Sequence, residues 1–201
     1  MAGRQTPGVR RPATRSTALP GEVRLIGGQW KRSKLPVPVA PGLRPTPDRV
    51  RETLFNWLGQ DLAGWRVLDA FAGSGALGFE AASRGAAAVT LVEHDARLAA
   101  GLDAVRQRLA AEAVNVLRAD ALAWMARAPR AGFELVLLDP PFGAGLAAQA
   151  LAAAAPLVAE RGFVYLEAAA AGTMPALPEN LEAFRELQAG AVRACLFRRR
   201  A

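Results

Sequence analysis

At 201 residues and 52% hydrophobic content the chain fits a single globular domain with room for a sizeable core. No run approaches the ~18–20 consecutive apolar residues of a membrane span, and the arginine-rich start is not followed by the apolar stretch of a signal peptide. One cysteine, Cys195, excludes an internal disulfide or a cysteine-based metal site and points to a reducing, cytoplasmic compartment.

The formal charge is +7, from 25 Lys and Arg against 18 Asp and Glu, and its placement says more than its size. Eight basic residues between Arg4 and Lys34 stand against Glu22 alone, so the remaining chain is neutral overall. A neutral body with a basic arm suits a polyanionic partner, most simply nucleic acid. Residues 1–20 mix Gly, Pro, Ser, Thr and Arg without periodicity and read as a disordered arm.

Residues 21–60 read as an extension ahead of the main fold. Val23–Ile26, Gln29–Lys31 and Leu35–Val39 are short alternating segments consistent with a small β-hairpin and an irregular exit. Trp30 beside Lys31 and Arg32 is a pattern that can stack on a nucleotide, or that simply packs the hairpin down. Thr46-Pro47-Asp48 opens a helix, with Thr46 as N-cap and Pro47 at the first helical position. Val50, Leu54, Trp57 and Leu58 supply its apolar spacing, which leaves Arg49, Arg51 and Glu52 on other, solvated faces.

Residues 61–201 carry the main domain. Arg66–Phe71 is a core strand that turns through Ala72-Gly73-Ser74-Gly75 into a helix reaching about Arg84; glycines there let backbone N–H groups approach a ligand. Gly73, Gly75 and Gly78 also match the dinucleotide fingerprint G-x-G-x-x-G. The next strand, Ala88–Val92, ends at Glu93, where a carboxylate can take the hydroxyls of a ribose, whether in NAD or in S-adenosylmethionine. His94, the single histidine, is a loop residue with no catalytic role. Asp95 caps a helix to about Ala110, and Val114–Leu117 forms a strand whose tip carries Asp120. Asp69, Glu93, Asp120 and Asp139 therefore end four strands in one layer and outline a site.

The apolar run Phe133–Leu138 is a buried strand halted by Asp139-Pro140-Pro141-Phe142. The Asp139 carboxylate and the Pro140 carbonyl can accept the N–H groups of an exocyclic base amine and turn its lone pair toward an electrophile, while Phe142 can stack on the base. An Ala-rich helix over 145–159, a strand over 162–167 and a terminal antiparallel hairpin over 184–198 complete the chain. Alternating strands and helices predict an α/β, Rossmann-like, doubly wound and mostly parallel sheet with right-handed crossovers.

With Phe71-Ala72-Gly73-Ser74-Gly75, Glu93, Asp120 and Asp139-Pro140-Pro141-Phe142 together, the chain resembles a class I S-adenosylmethionine-dependent methyltransferase with an amino-group methyltransferase signature. Arg24-Leu25-Ile26-Gly27-Gly28-Gln29-Trp30 and Arg44-Pro45-Thr46-Pro47-Asp48-Arg49-Val50-Arg51-Glu52-Thr53-Leu54 narrow the resemblance to the bacterial small-subunit ribosomal RNA guanine-N2 methyltransferases. It runs from about Val23 to the C-terminal hairpin. Pro47 stands where that family often has a second Thr, and residues 1–20 have no counterpart in it.

The resemblance implies a seven-stranded sheet with a C-terminal antiparallel hairpin. It implies S-adenosylmethionine as cofactor and no metal, with the methionine end at Asp69, Phe71, Gly73 and Gly75, the ribose at Glu93 and the adenine at Asp120. Asp139, Pro140 and Phe142 would receive a flipped guanine of 16S ribosomal RNA in a 30S subunit. Arg44, Thr46, Arg49 and Arg51 would border cofactor or RNA, and the basic and aromatic residues Arg24, Trp30, Lys31 and Arg32 of the extension are further candidate RNA contacts. A monomer without membrane contact is expected. Rival readings are a nicotinamide dehydrogenase, an amino methyltransferase acting on DNA adenine or protein glutamine, and a non-catalytic RNA-binding protein that keeps the fold with a broken site, although the site here looks complete.

Overall fold

A computed structural model describes residues 21–38, 46–141 and 145–200. The arm 1–20, Arg44 and Phe142 lie outside the described residues.

Strands β1 (Gly21–Arg24) and β2 (Lys34–Val37) pair antiparallel with Val23 opposite Leu35. Gln29–Lys31, expected as strand, is instead part of a turn, closed by Leu25 N donating to Ser33 O and Arg32 N to Leu25 O. Gly27 and Gly28 break the alternation there. Gly28 has φ +70, and a Cβ on it would lie 1.7 Å from Ser83 O, so only glycine lets this turn lie against the helix that carries Ser83.

Helix α1 (Asp48–Trp57) starts one residue later than expected. Its cap is Pro47, and no side chain caps it; Thr46 is buried and spends its hydroxyl elsewhere. Trp57 is only half-buried, and the inward stripe is Val50, Arg51, Leu54 and Phe55. Arg51 shares that stripe by its three- and four-residue spacing to Leu54 and Phe55.

The main sheet has seven strands in the order β5-β4-β3-β6-β7-β9-β8. They are β3 (Arg66–Asp69), β4 (Ala88–Glu93), β5 (Val114–Arg118), β6 (Phe133–Leu138), β7 (Val158–Ala169), β8 (Leu181–Ala189) and β9 (Val192–Arg199). Strands β3 to β7 run parallel, whereas β9 pairs antiparallel with both β7 and β8. The crossovers carry α2 (Ala76–Ser83), α3 (Ala96–Arg108), α4 (Ala121–Met125) and α5 (Leu146–Ala154). Helix α5 ends earlier than expected, because a 3-10 turn at Ala155–Leu157 tips the chain into β7, which begins at Val158 and is bulged against β6.

Strand periodicity divides the core. Val67, Leu91, Leu137, Tyr165 and Leu196 point to the face covered by α1, α2 and the N-terminal hairpin. Leu68, Val92, Val136, Leu138 and Leu166 point to the face covered by α4 and α5. Val23, Leu35 and Leu54 belong to the same buried cluster as the sheet residues, so the hairpin and α1 pack on the main core.

A buried charge cluster fastens that extension. Glu80 of α2, 0% exposed, accepts from Ile26 N and Gly27 N at 2.8 Å each and from Arg84 Nε at 2.9 Å, while Arg51 Nη1 stands 3.5 Å from its Oε2. Arg51 also donates to Arg24 O at 3.0 Å, Asp48 Oδ1 at 2.6 Å and Thr46 O at 3.3 Å. The solvated, RNA-bordering position expected for Arg51 is thus corrected: its guanidinium is a structural tie, because its fork of donors can satisfy several carbonyls where two segments meet. Glu80→Ala should cost about 3–5 kcal/mol, since it strands a buried guanidinium and two backbone N–H groups. Urea unfolding at constant m-value checks this, and a loss below about 1 kcal/mol would mean that water, and not Glu80, satisfies the cluster.

Candidate active site

The chain leaves the sheet centre in opposite directions from β3 and β6, and this switch point opens a crevice at the carboxyl ends of the strands. A cavity of about 670 Å³ fills it, within the range of small-molecule sites. It runs across the strand tips from Asp120 after β5, past Glu93 and Asp69, to Asp139 and Pro140 after β6, and on to Glu167 of β7. All four carboxylates singled out from the sequence line it, as do Phe71, Gly73 and Thr46.

The glycine turn is shaped by packing as well as by ligand approach. Gly75 caps α2 in the left-handed region at φ +76, and a Cβ there would come within 2.6 Å of Leu102 and Phe79. Gly78 seats the helix on the sheet: its N–H donates to Asp69 Oδ2 at 3.0 Å, and a Cβ would lie 2.2 Å from Leu91. Glu93 accepts from Gly73 N at 2.9 Å and Asp95 N at 2.8 Å, tying the turn to β4, and exposed His94 places Nδ1 3.0 Å from it.

Asp69 is 1% exposed, and its Oδ1 is buried without a hydrogen-bond partner among the described residues. Burial pushes its carboxyl up to about 7, opposed by the Gly78 N–H and helped by the negative charges of Glu93 and Glu167. An orphaned carboxylate oxygen on a cavity wall suits a cationic ligand group, as the ammonium of a methionine moiety would be. Asp120 sits at the far end, exposed, capping α4 through Ala123 N at 2.8 Å. Sequence reasoning missed α4 because five residues are too few to show helical periodicity.

The opposite end holds a group to which sequence reasoning assigned no role. Leu138 pairs with Leu166, so Asp139, just past the end of β6, lies beside Glu167 of β7. Glu167 is 2% exposed, and its Oε1 accepts from Thr46 Oγ1 at 2.7 Å and Tyr165 Oη at 2.9 Å. Asp139 keeps some exposure to the cavity, yet its crowded wall strips its hydration and raises its carboxyl well above the usual range, with Glu167 and Asp69 adding repulsion. Burial raises Glu167 too, against the Thr46 and Tyr165 hydrogen bonds and the Arg51 charge. The signal for Glu167 was present in the sequence as a lone acid inside the apolar run Phe163–Ala169.

The basic residues proposed for RNA divide differently. Arg24, Lys31, Arg32 and Arg49 are exposed and do not line the cavity. Trp30 is half-buried against the main core, with its backbone N–H donating to Ser83 Oγ at 2.9 Å, so it packs the hairpin down.

A family model described as "Conserved hypothetical protein 95" matches residues 23–198. Ribosomal RNA small subunit methyltransferase D of Escherichia coli (strain K12) is 42% identical over 183 residues, covering 90% of this chain and 92% of the relative. Among solved structures, yhhF from Escherichia coli superposes with a TM-score of 0.80 at 39% identity, covering 89% of this chain and 98% of that one. Trm1 from Pyrococcus horikoshii, solved in complex with S-adenosyl-L-methionine, shares the fold, with a TM-score of 0.66 at 16% identity over 88% of this chain and 60% of its own.

Because Asp69 holds its proton more tightly folded than unfolded, its contribution to stability falls as pH rises from about 4 toward about 7. Asp69→Asn should therefore gain about 2 kcal/mol on the parent between pH 5 and pH 7 in the unligated protein, as read by urea unfolding. Parallel pH profiles for parent and variant would show that Asp69 is ionised throughout.

Proposed function

The chain belongs to the family described as conserved hypothetical protein 95 and is a methyltransferase, and on that premise we propose its reaction: methyl transfer to the exocyclic N2 of one guanine in 16S ribosomal RNA, within an assembled or partly assembled 30S subunit. The observation that carries this reading is the meeting, in one cleft, of an orphaned Asp69 oxygen with the Asp139-Pro140 tip of β6.

Asp69 Oδ1 would hold the ammonium of S-adenosylmethionine, Glu93 its ribose hydroxyls and Asp120 its adenine, with Phe71 and the Gly73-to-Gly75 backbone along its length. When bound, the cofactor supplies a methyl already activated by its sulfonium. The rest is positioning and exclusion of water. The Asp139 carboxylate and the Pro140 carbonyl accept the two N–H groups of the guanine amine and keep its lone pair turned toward the cofactor end of the cleft. Asp139, with its raised proton affinity, takes the proton that the amine gives up. Phe142 stacks on the base, and exposed Arg24, Lys31, Arg32 and Arg49, with Arg44 and the arm 1–20, meet the phosphates.

This chemistry accounts for an acceptor pair beyond β6, which hydride transfer to a nicotinamide does not need. Among the described residues no helix is long and apolar enough to cross a membrane, and we place the enzyme in the bacterial cytoplasm, acting as a monomer.

Labelled methyl offered with small subunits lacking their own modification should land on one guanine, and Asp139→Ala should slow transfer by about a hundredfold or more while cofactor binding persists. Transfer by the variant at the parental rate would remove Asp139 from the mechanism; label appearing only on DNA or protein would remove the ribosomal substrate. Phe142→Ala should cost about 1–3 kcal/mol in kcat/KM if base stacking is its task, and an unchanged value would refute that role.

A further inference from the structure

We propose that Glu167 reads the target base: its Oε2 accepts the N1–H of the guanine whose N2 lies at Asp139, so that the two neighbouring acids select a base edge presenting two adjacent donors. The inference rests on the guanine-N2 reading above and names the group that makes the site specific for guanine.

Glu167 is built as a ligand-facing group. It forms part of the cavity wall and is 2% exposed. Both of its described hydrogen bonds, from Thr46 Oγ1 at 2.7 Å and Tyr165 Oη at 2.9 Å, go to Oε1. No described residue donates to Oε2. A carboxylate buried for structure alone would have both oxygens satisfied, because an unmet lone pair in a desolvated wall costs free energy. One oxygen pinned by two hydroxyls and the other without a described donor, on a residue of the cavity wall, is the arrangement of an aimed acceptor.

The direction of aim follows from the sheet. Asp69, Leu137 and Tyr165 lie in one row across β3, β6 and β7. Two residues further along, Asp139 and Glu167 return to the same face, side by side. Thr46, at the entrance to α1, donates to Glu167, so the extension as well as the strand positions the carboxylate.

The chemistry of the bases supplies the match. Guanine presents N1–H and N2–H as neighbouring donors on its Watson–Crick edge. Adenine and cytosine present a donor beside an acceptor, and uracil presents one donor between two carbonyls. A flipped base is read at this edge. Two adjacent acidic acceptors favour guanine and meet the bare ring nitrogen of adenine or cytosine with lone-pair repulsion.

The test first maps the guanine labelled by the wild-type protein, and then uses small subunits reconstituted with guanine or 2,6-diaminopurine at that position. Diaminopurine keeps the N2 amine but has a bare N1. The wild-type protein should prefer guanine by about tenfold or more, and Glu167→Gln, whose amide can donate to N1 as well as accept from it, should bring the two rates close to parity with S-adenosylmethionine affinity unchanged. A merely structural Glu167 would lower both rates equally and leave their ratio intact, which would overturn the proposal. Equal rates with the wild-type protein would overturn it without any variant. Should Glu167→Gln not fold, Thr46→Val and Tyr165→Phe, which release Oε1, should narrow the ratio, and an unchanged ratio in both would be equally decisive. If the wild-type protein labels no guanine, the proposed function falls and this inference falls with it; a labelled guanine with an unaltered ratio sinks this inference alone.

Discussion

Everything on the ligand-facing side of this protein depends on the charge cluster around Glu80. That carboxylate is the only side-chain partner of the Ile26 and Gly27 N–H groups in the described residues, and it offsets the charge of two buried guanidinium groups, those of Arg51 and Arg84. Through Arg51 the cluster reaches Arg24 O, Asp48 and Thr46 O, so a single network sets the hairpin, the start of α1 and the residue that touches Glu167. Isolated buried ion pairs are a weak source of stability. Here the pair joins segments far apart in sequence, and its value lies in the placement it enforces.

The second constraint is the period of the strand. Parallel pairing of β3, β6 and β7, continuous from Leu135 to Leu138 beyond the bulge at the start of β6, carries Asp69, Asp139 and Glu167 to the same face, and the Pro-Pro pair ends β6 where the acid emerges. A one-residue slip in any strand would turn its acid into the opposite core, against α4 and α5, where no ligand could reach it. The apolar rows of Leu137, Tyr165 and Leu196 therefore hold the register that the chemistry requires.

The same geometry leaves the protein with an electrostatic debt. Three acids crowd one end of the cavity, all with carboxyls raised by burial and two of them, Asp69 and Asp139, also by neighbouring acids, and Asp69 Oδ1 has no donor among the described residues. Groups strained in this way cost stability in the unligated state. They become favourable when a ligand brings cationic or N–H donors to them, which is how a rigid fold commits its folding energy to binding. Thr46 and Tyr165 limit the cost by holding one oxygen of Glu167.

Much of this was legible in the sequence, where the cause was local. The apolar runs of β3, β4 and β6 announced buried strands, Asp95 announced its helix, and the glycine turn and the acid-proline tip stood at strand ends where their backbone chemistry required them. What pairwise contact decides was not legible. Arg51 read as solvated because its buried partners come from α2 and the hairpin; Thr46 read as a helix cap because Glu167 lies 121 residues away; Glu167 read as the end of a strand because its neighbour Asp139 is brought beside it only by register. The order of residues determines which backbone each segment adopts and which face it buries. Which charges meet in the interior is decided by packing between segments, since desolvation forces each buried charge to find its partner wherever the fold has placed one.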